Sequence, residues 1–168
     1  IQNAFNICIE PVADNITKGR KNSEINNCKN IEFILGSISD TYKEHTQFVN
    51  WDNKILEITQ YNLEYIFQKY NKHFDVVHSD IQGFENLMLI GSINILNSIG
   101  YFIISSHGDS HSFCRDFLLQ NNFNILIEHT ISESFSGDGL IVAVNKLHQH
   151  IYEKKINIPI KVLELKYI

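Results

Sequence analysis

The chain has 168 residues, 43% of them hydrophobic and 20% charged, which suits a single domain with a buried core. Its formal net charge of -5 disfavours a nucleic-acid backbone as partner, since that calls for clustered lysine and arginine. Cys8, Cys28 and Cys114 form no C-x-x-C pair, so neither a zinc ribbon nor a disulfide framework is indicated, and a reducing, cytoplasmic setting is expected.

No apolar run approaches the roughly 20 residues that span a bilayer, and no signal-peptide pattern opens the chain. The first residue is Ile1, so a processed or partial piece of a longer, multidomain chain is expected. The densest basic cluster, Lys18-Gly19-Arg20-Lys21, reads as a solvated helix face.

In chain order, "FNICIE" (residues 5–10) is a short apolar run stopped by Pro11, as a buried parallel strand would be. Asp14 or Asn15 can cap a helix through "NITKGRKN". "IEFILGSIS" (31–39) reads as a second strand, and residues 40–53 as a loop with room for one extra strand. Leu63, Ile66, Phe67 and Tyr70 fall at helical spacing in "NLEYIFQKYNKH". Strand "FDVVHSD", helix "FENLMLIGSINILN", strand "YFIISSH" and helix "SHSFCRDFLLQN" follow. "FNILIEHT" and "GLIVAVN" leave no room for a helix between them and read as an antiparallel pair joined through residues 131–138. The tail, 147–168, alternates around "INIPIKVLEL" and reads as an edge strand or strap, with Pro159 confining it to an edge.

Strand–helix alternation with short connections predicts an α/β fold, a mostly parallel sheet covered on both faces with an antiparallel end. Ligands in such sheets bind beyond the carboxyl ends of the strands. The polar residues at those ends are Glu10, Ser37 to Asp40, His78, Asp80 and His107, with Glu133, Ser134 and Asp138 added by the turn into the last strand. Glu10 closes a strand, where one carboxylate can accept from both hydroxyls of a ribose. Asp80 leaves a β-branched strand and meets Gly83, which permits a close backbone approach. Glu85 fits a ligand or the helix dipole equally well. His107 ends the neighbouring strand, roughly 4.8 Å away, so it can share a ligand with Asp80. His111 follows four residues later and could face the same way. His45, His73, His148 and His150 read as surface histidines, and His78 and His129 nearly so.

Four segments, "ICIEPVADN", "FILGSIS", "VVHSDIQGFENLML" and "IISSHGDSHSFCRDFL" with "SESFSGDGLIVA", together resemble the FkbM-type methyltransferases, a Rossmann-like family that uses S-adenosylmethionine. The resemblance covers most of residues 5–146. It implies a three-layer, seven-stranded, mostly parallel sheet with a reversed last strand, a methyltransferase-like domain over 1–146 and a C-terminal extension over 147–168. It also implies a first strand with a glycine-rich turn, absent from this chain and expected upstream. In that frame Glu10 holds the cofactor ribose, Ser37 and Ile38 border its adenine, and Gln82 adds a contact. Asp80 stands beside the methyl donor with His107.

The reaction implied is O-methylation of a hydroxyl on a sugar, glycan or small metabolite, without nucleic acid or membrane. Alignment of the nucleophile is the main requirement, because the sulfonium methyl is already activated. His107 serves as base, or a divalent metal on Asp80, His107 and His111 lowers the hydroxyl's pKa. Three rivals remain at this point: a nicotinamide-dependent dehydrogenase, which lacks its G-x-G-x-x-G here; a metal-dependent hydrolase using His78, Asp80, His107 and His111; and a non-catalytic interaction domain.

Overall fold

The computed structural model describes residues 4–50, 52–134 and 136–149, so the strap expected in the tail lies, beyond residue 149, outside the described residues. β1 (Asn6–Glu10) and β2 (Ile31–Leu35) pair in parallel through the crossover helix α1 (Ala13–Ile25), from which Ile16 is buried. The helix begins earlier than expected. Its N-cap position is Val12, and the Val12 N–H is taken by the Glu10 carboxylate at 2.9 Å, so neither Asp14 nor Asn15 is the cap.

The chain then breaks at Gly36, where a Cβ would come within 2.5 Å of the Thr59 carbonyl oxygen. Beyond it lie β3 (Ser37–Ile38), β4 (Lys43–Val49) and β5 (Ile55–Tyr61), a sheet of order β3-β5-β4 in which β4 and β5 are an antiparallel hairpin. Helix α2 (Leu63–Tyr70) starts at Asn62, whose side chain accepts from Tyr65 N at 3.0 Å. It stops at Asn71, which adopts the left-handed conformation (φ 48°) that helix C-termini favour.

The third sheet follows with β6 (Phe74–Asp80), α3 (Glu85–Ile90), a 3-10 turn over Ile93–Ser98, β7 (Ile99–Ser106), α4 (Ser110–Gln120), β8 (Phe123–His129), a short turn over Ile131–Glu133 and β9 (Gly139–Asn145). Its order is β6-β7-β9-β8, with β6 parallel to β7 and the remaining neighbours antiparallel. The core sits here. Ile99, Phe102 and Ile104 of β7 are fully buried with Phe123, Ile141, Leu89, Leu118 and Cys114, and the rings of Phe102 and Phe123 lie 5.4 Å apart. Each such side chain contributes about 1.5–3 kcal/mol by leaving water. Asn145 ties the sheet to the preceding turn, donating to the Leu96 and Ile99 carbonyls at 2.9 and 3.1 Å.

The expected single, mostly parallel Rossmann-like sheet is therefore corrected. Among the described residues nine strands form three small sheets, and three of their six ladders are antiparallel. The physical reasons are local. Gly36 divides what reads as one strand over 31–39 into two strands of different sheets. The tight connection between β4 and β5, with Asn53 in the left-handed region (φ 59°), is far too short for a parallel crossover. No ladder joins β1 to β6 among the described residues.

The middle sheet is anchored to the third through α3. Phe48 of β4 packs on Phe84, and Gly91 makes room for the Ser39–Asp40 backbone, where a Cβ would be 2.6 Å from the Ser39 carbonyl oxygen. No described helix is long and apolar enough to cross a membrane.

Candidate functional site

Asp80 ends β6 and pairs with Ser105 of β7, so the residue two beyond, His107, emerges beside it. The turn after β6 brings Gln82 in the left-handed region (φ 53°) and Gly83 (φ 97°), folding the chain back so that α3 starts directly behind the rim. Glu85 occupies the first turn of α3 and is fully buried.

A buried carboxylate is expensive unless every lone pair finds a donor. Here three donors converge. His107 Nδ1 lies 2.7 Å from Oε1, the Ser110 hydroxyl donates to Oε2 at 3.0 Å, and the Gly83 N–H donates to Oε1 at 3.2 Å. Ser110 also accepts from the His107 N–H at 3.0 Å, closing the loop between β7 and α4. A carboxylate can only accept, so His107 Nδ1 carries a proton, and in the neutral ring the lone pair is on Nε2.

That free nitrogen faces the rim. Gln82 Nε2 donates to it at 3.0 Å, and Oδ1 of Asp80 and of Asp138 lie 3.4 and 3.3 Å away. Gln82 also donates to Asp80 Oδ1 at 3.1 Å. The His107 side chain is 14% exposed, while Asp80 and Asp138 are 53% and 36% exposed, so the ring is fixed from behind and open only on its rim side. Any positive charge that forms on the imidazole lies between two carboxylates and in contact with a third. Behind the site, burial first and the Glu85 charge second push the Cys114 thiol up to about 12, which keeps it a neutral, inert core group.

Asp80, Gln82 and His107 are thus brought together, and Asp138 joins them from the start of β9. His111 is not. Its ring points inward to Ser106 and Glu128, at 2.7 and 3.3 Å, with both nitrogens engaged. Asp80, His107 and His111 consequently do not fit a metal ion, and among the described residues no group of three or more His, Cys, Asp or Glu side chains could hold one. His78 is exposed on β6, and His45 pairs with Glu57 at the surface.

Glu10 stands on the β1–β2 sheet. Its Oε1 accepts from Val12 N and from Asn15 Nδ2 at 2.9 and 3.1 Å, so it serves its own turn. Ile38 packs against the hydrophobic core and Ser37 is half-buried beside it. Glu133 and Ser134 are likewise local: Glu133 closes a capping box with Thr130, and the Ser134 hydroxyl bonds Ser136.

The residues that sequence reading undervalued are Glu85 and Ser110. A glutamate in the first turn of a helix ordinarily serves the dipole at the surface. The available signal was the pairing of that glutamate with a histidine and a serine three apart on the next strand–helix turn, His107 and Ser110. No protein-family model matches the chain, and no curated protein and no solved structure matches it either.

Proposed function

We propose that the rim formed by Asp80, Gln82, His107 and Asp138 is the catalytic site of a group-transfer enzyme that deprotonates a hydroxyl, and that the group transferred is methyl. The observation that carries this reading is the Glu85–His107 pair: an imidazole held by a fully buried acid at Nδ1, with Nε2 presented as a base to an open, acidic rim.

A hydroxyl is a poor nucleophile, and removing its proton during attack contributes roughly 10²–10⁴-fold to rate. In the proposed step His107 Nε2 takes that proton, and Glu85 remains ionised and stabilises the imidazolium. Asp80 accepts a hydrogen bond from the acceptor's hydroxyl or a neighbouring one, orienting it, and Gln82 holds the unprotonated nitrogen until the acceptor replaces it. Two carboxylates around one base favour a polyol or sugar acceptor, whose adjacent hydroxyls can donate to both.

S-adenosylmethionine, held by Glu10 and Gln82 in this reading, would supply an activated methyl group and leave as S-adenosylhomocysteine. Support for this choice comes from the resemblance that the four segments carry together, of which Asp80 to Glu85 is one part. On the acceptor side the reading rests on Asp80, Gln82 and His107, which the rim brings together. On the adenine side Ile38 packs against the core, and the half-buried Ser37 beside it is the contact this reading assigns.

The test is transfer of labelled methyl from S-adenosylmethionine to a panel of sugars, polyols and phenols, with the wild-type chain and His107→Asn. Transfer by the wild type that falls roughly 10²–10⁴-fold in the variant, at unchanged cofactor affinity by calorimetry, is expected. Equal rates in both proteins remove His107 as base, and absence of cofactor binding by the wild type removes methyl transfer.

A further inference from the structure

Four residues past His107 a second histidine makes a different set of contacts. His111 is in the first turn of α4, and its Nδ1 lies 2.7 Å from the hydroxyl of Ser106, the last residue of β7. Its Nε2 lies 3.3 Å from Glu128 of β8, which also takes Arg115 Nε at 3.2 Å. Glu128 can only accept, so Nε2 carries the proton, and Nδ1 accepts from the Ser106 hydroxyl. One neutral tautomer satisfies all three groups.

A serine, a histidine and an acid in line have the order of a hydrolytic triad, with the roles of the two ring nitrogens exchanged. Ser106 is fully buried, however, and its Oγ lies against Gly139, so it has no approach for a substrate. The arrangement serves something other than nucleophilic attack.

Its position indicates what. The ladder between β7 and β9 ends at the rung Ser106–Gly139. A Cβ on Gly139 would come within 2.5 Å of Ser106 Oγ and would collide with His111 Nδ1, so the hydrogen-bonded pair fills the space over that glycine. The residue before it is Asp138, which lies beyond the last rung yet stands 3.3 Å from His107 Nε2. Gly137, at φ 80°, turns the chain immediately before. Asp138 is thus flanked by the contacts at Gly139 on one side and, on the other, by the bond its own N–H donates to the Ser136 hydroxyl at 3.4 Å.

We propose that His111 is a positioning residue: bonded to Ser106 through Nδ1, it seats the first residue of β9 and thereby holds the Asp138 carboxylate against the base. This rests on the reading of His107 as base for its bearing on turnover, but not for its geometry. The two nitrogens of His111 separate the roles. An asparagine amide reproduces the place of Nδ1, and a glutamine amide that of Nε2.

The experiment is NMR of the whole chain, comparing the cross-peak between the His107 ring and Asp138 Hβ with that between the same ring and Glu85 Hγ. His111→Asn is expected to keep both. His111→Gln, and independently Ser106→Ala, are expected to lose the Asp138 cross-peak and keep that of Glu85. Retention of both cross-peaks in His111→Gln and Ser106→Ala overturns the proposal, as does loss of the Asp138 cross-peak in His111→Asn. Loss of both cross-peaks in every variant overturns it too, because the pair then supports the whole loop rather than Asp138. None of these outcomes depends on methyl transfer, so failure of that reaction in the wild type is seen separately.

Discussion

Two glutamates near the ends of parallel strands, Glu10 closing β1 and Glu85 after β6, are used in opposite ways. Glu10 satisfies the turn it sits in, taking donors two and five residues away. Glu85 reaches across the fold to His107 and Ser110, more than twenty residues on, and is buried in doing so. The first gives a turn its geometry, whereas the second gives a distant side chain a fixed tautomer and orientation. A strand-end carboxylate thus becomes chemistry only when the topology brings it donors from elsewhere.

The largest effect should follow from breaking the second case. Glu85→Ala leaves the Gly83 N–H, the Ser110 hydroxyl and His107 Nδ1 without an acceptor in the interior, and a loss of about 3–5 kcal/mol is expected by analogy with broken buried pairs. Urea unfolding of the variant measures it. Glu85→Gln keeps one acceptor oxygen, able to take both His107 Nδ1 and the Gly83 N–H, and should cost less. A loss below about 1 kcal/mol for Glu85→Ala would mean that the burial of this acid is not balanced by those three bonds.

Cys114 reports on the same acid. Burial and then the Glu85 charge raise its thiol from 9.0 to about 12. The stabilisation from keeping it neutral is fully present below pH 9.0 and is lost as the pH rises towards 12. In the native protein, alkylation followed by mass spectrometry should modify exposed Cys28 and spare Cys114 at pH 8. In Glu85→Gln the onset of Cys114 labelling should move to lower pH, by removal of the smaller of the two causes. An unchanged onset would assign the whole shift to burial.

The difference between the two glutamates also marks what the sequence made legible. Periodicity located β6, α4, β8 and β9 to within a residue, because each is bounded by turn residues and carries a strong apolar pattern. The neighbourhood of Asp80 and His107 followed from adjacent strands, and Asp138 from the antiparallel return. The division of 31–39 at Gly36 was not readable, since the collision there is with Thr59 and Tyr61, residues distant in sequence. Nor was the hairpin of β4 and β5, although Ile55, Glu57 and Thr59 alternate as a strand should with their neighbours. His111 was expected on the His107 side because four residues make about one helical turn. The helix starts only at Ser110, so the two rings are set by different elements and diverge.

A smaller effect tests the local case. Glu10→Ala removes the acceptor for Val12 N–H at the start of α1 and should cost about 0.5–2 kcal/mol, as loss of an N-terminal cap does. The His107–Asp138 cross-peak should be untouched, since no hydrogen bond or ion pair links Glu10 to the rim among the described residues. Calorimetry with S-adenosylmethionine sharpens the comparison. Weakened binding would give Glu10 a ligand role beyond its turn, and unchanged affinity would confine it to that turn.

The smallest effect belongs to a third carboxylate, Glu133, which like Glu10 serves its own backbone. The Thr130 N–H and then its hydroxyl hold the Glu133 carboxyl below its ordinary value of 4.5. The ionised form is therefore favoured by folding, and the stability it contributes is present above pH 4.5 and lost as the pH falls through the depressed value. The group is exposed, so solvent screening keeps the contribution small. Glu133→Gln should differ from the wild type at neutral pH, and the difference should shrink as acid protonates the wild-type side chain. Chemical unfolding at a series of pH values between 7 and roughly 2 follows it. A gap that persists undiminished to the acid end would show that the shape of the capping box, which glutamine alters independently of charge, outweighs the carboxylate's ionisation. Local carboxylates such as Glu10 and Glu133 would then differ from Glu85 in the kind of contribution they make as well as in its size.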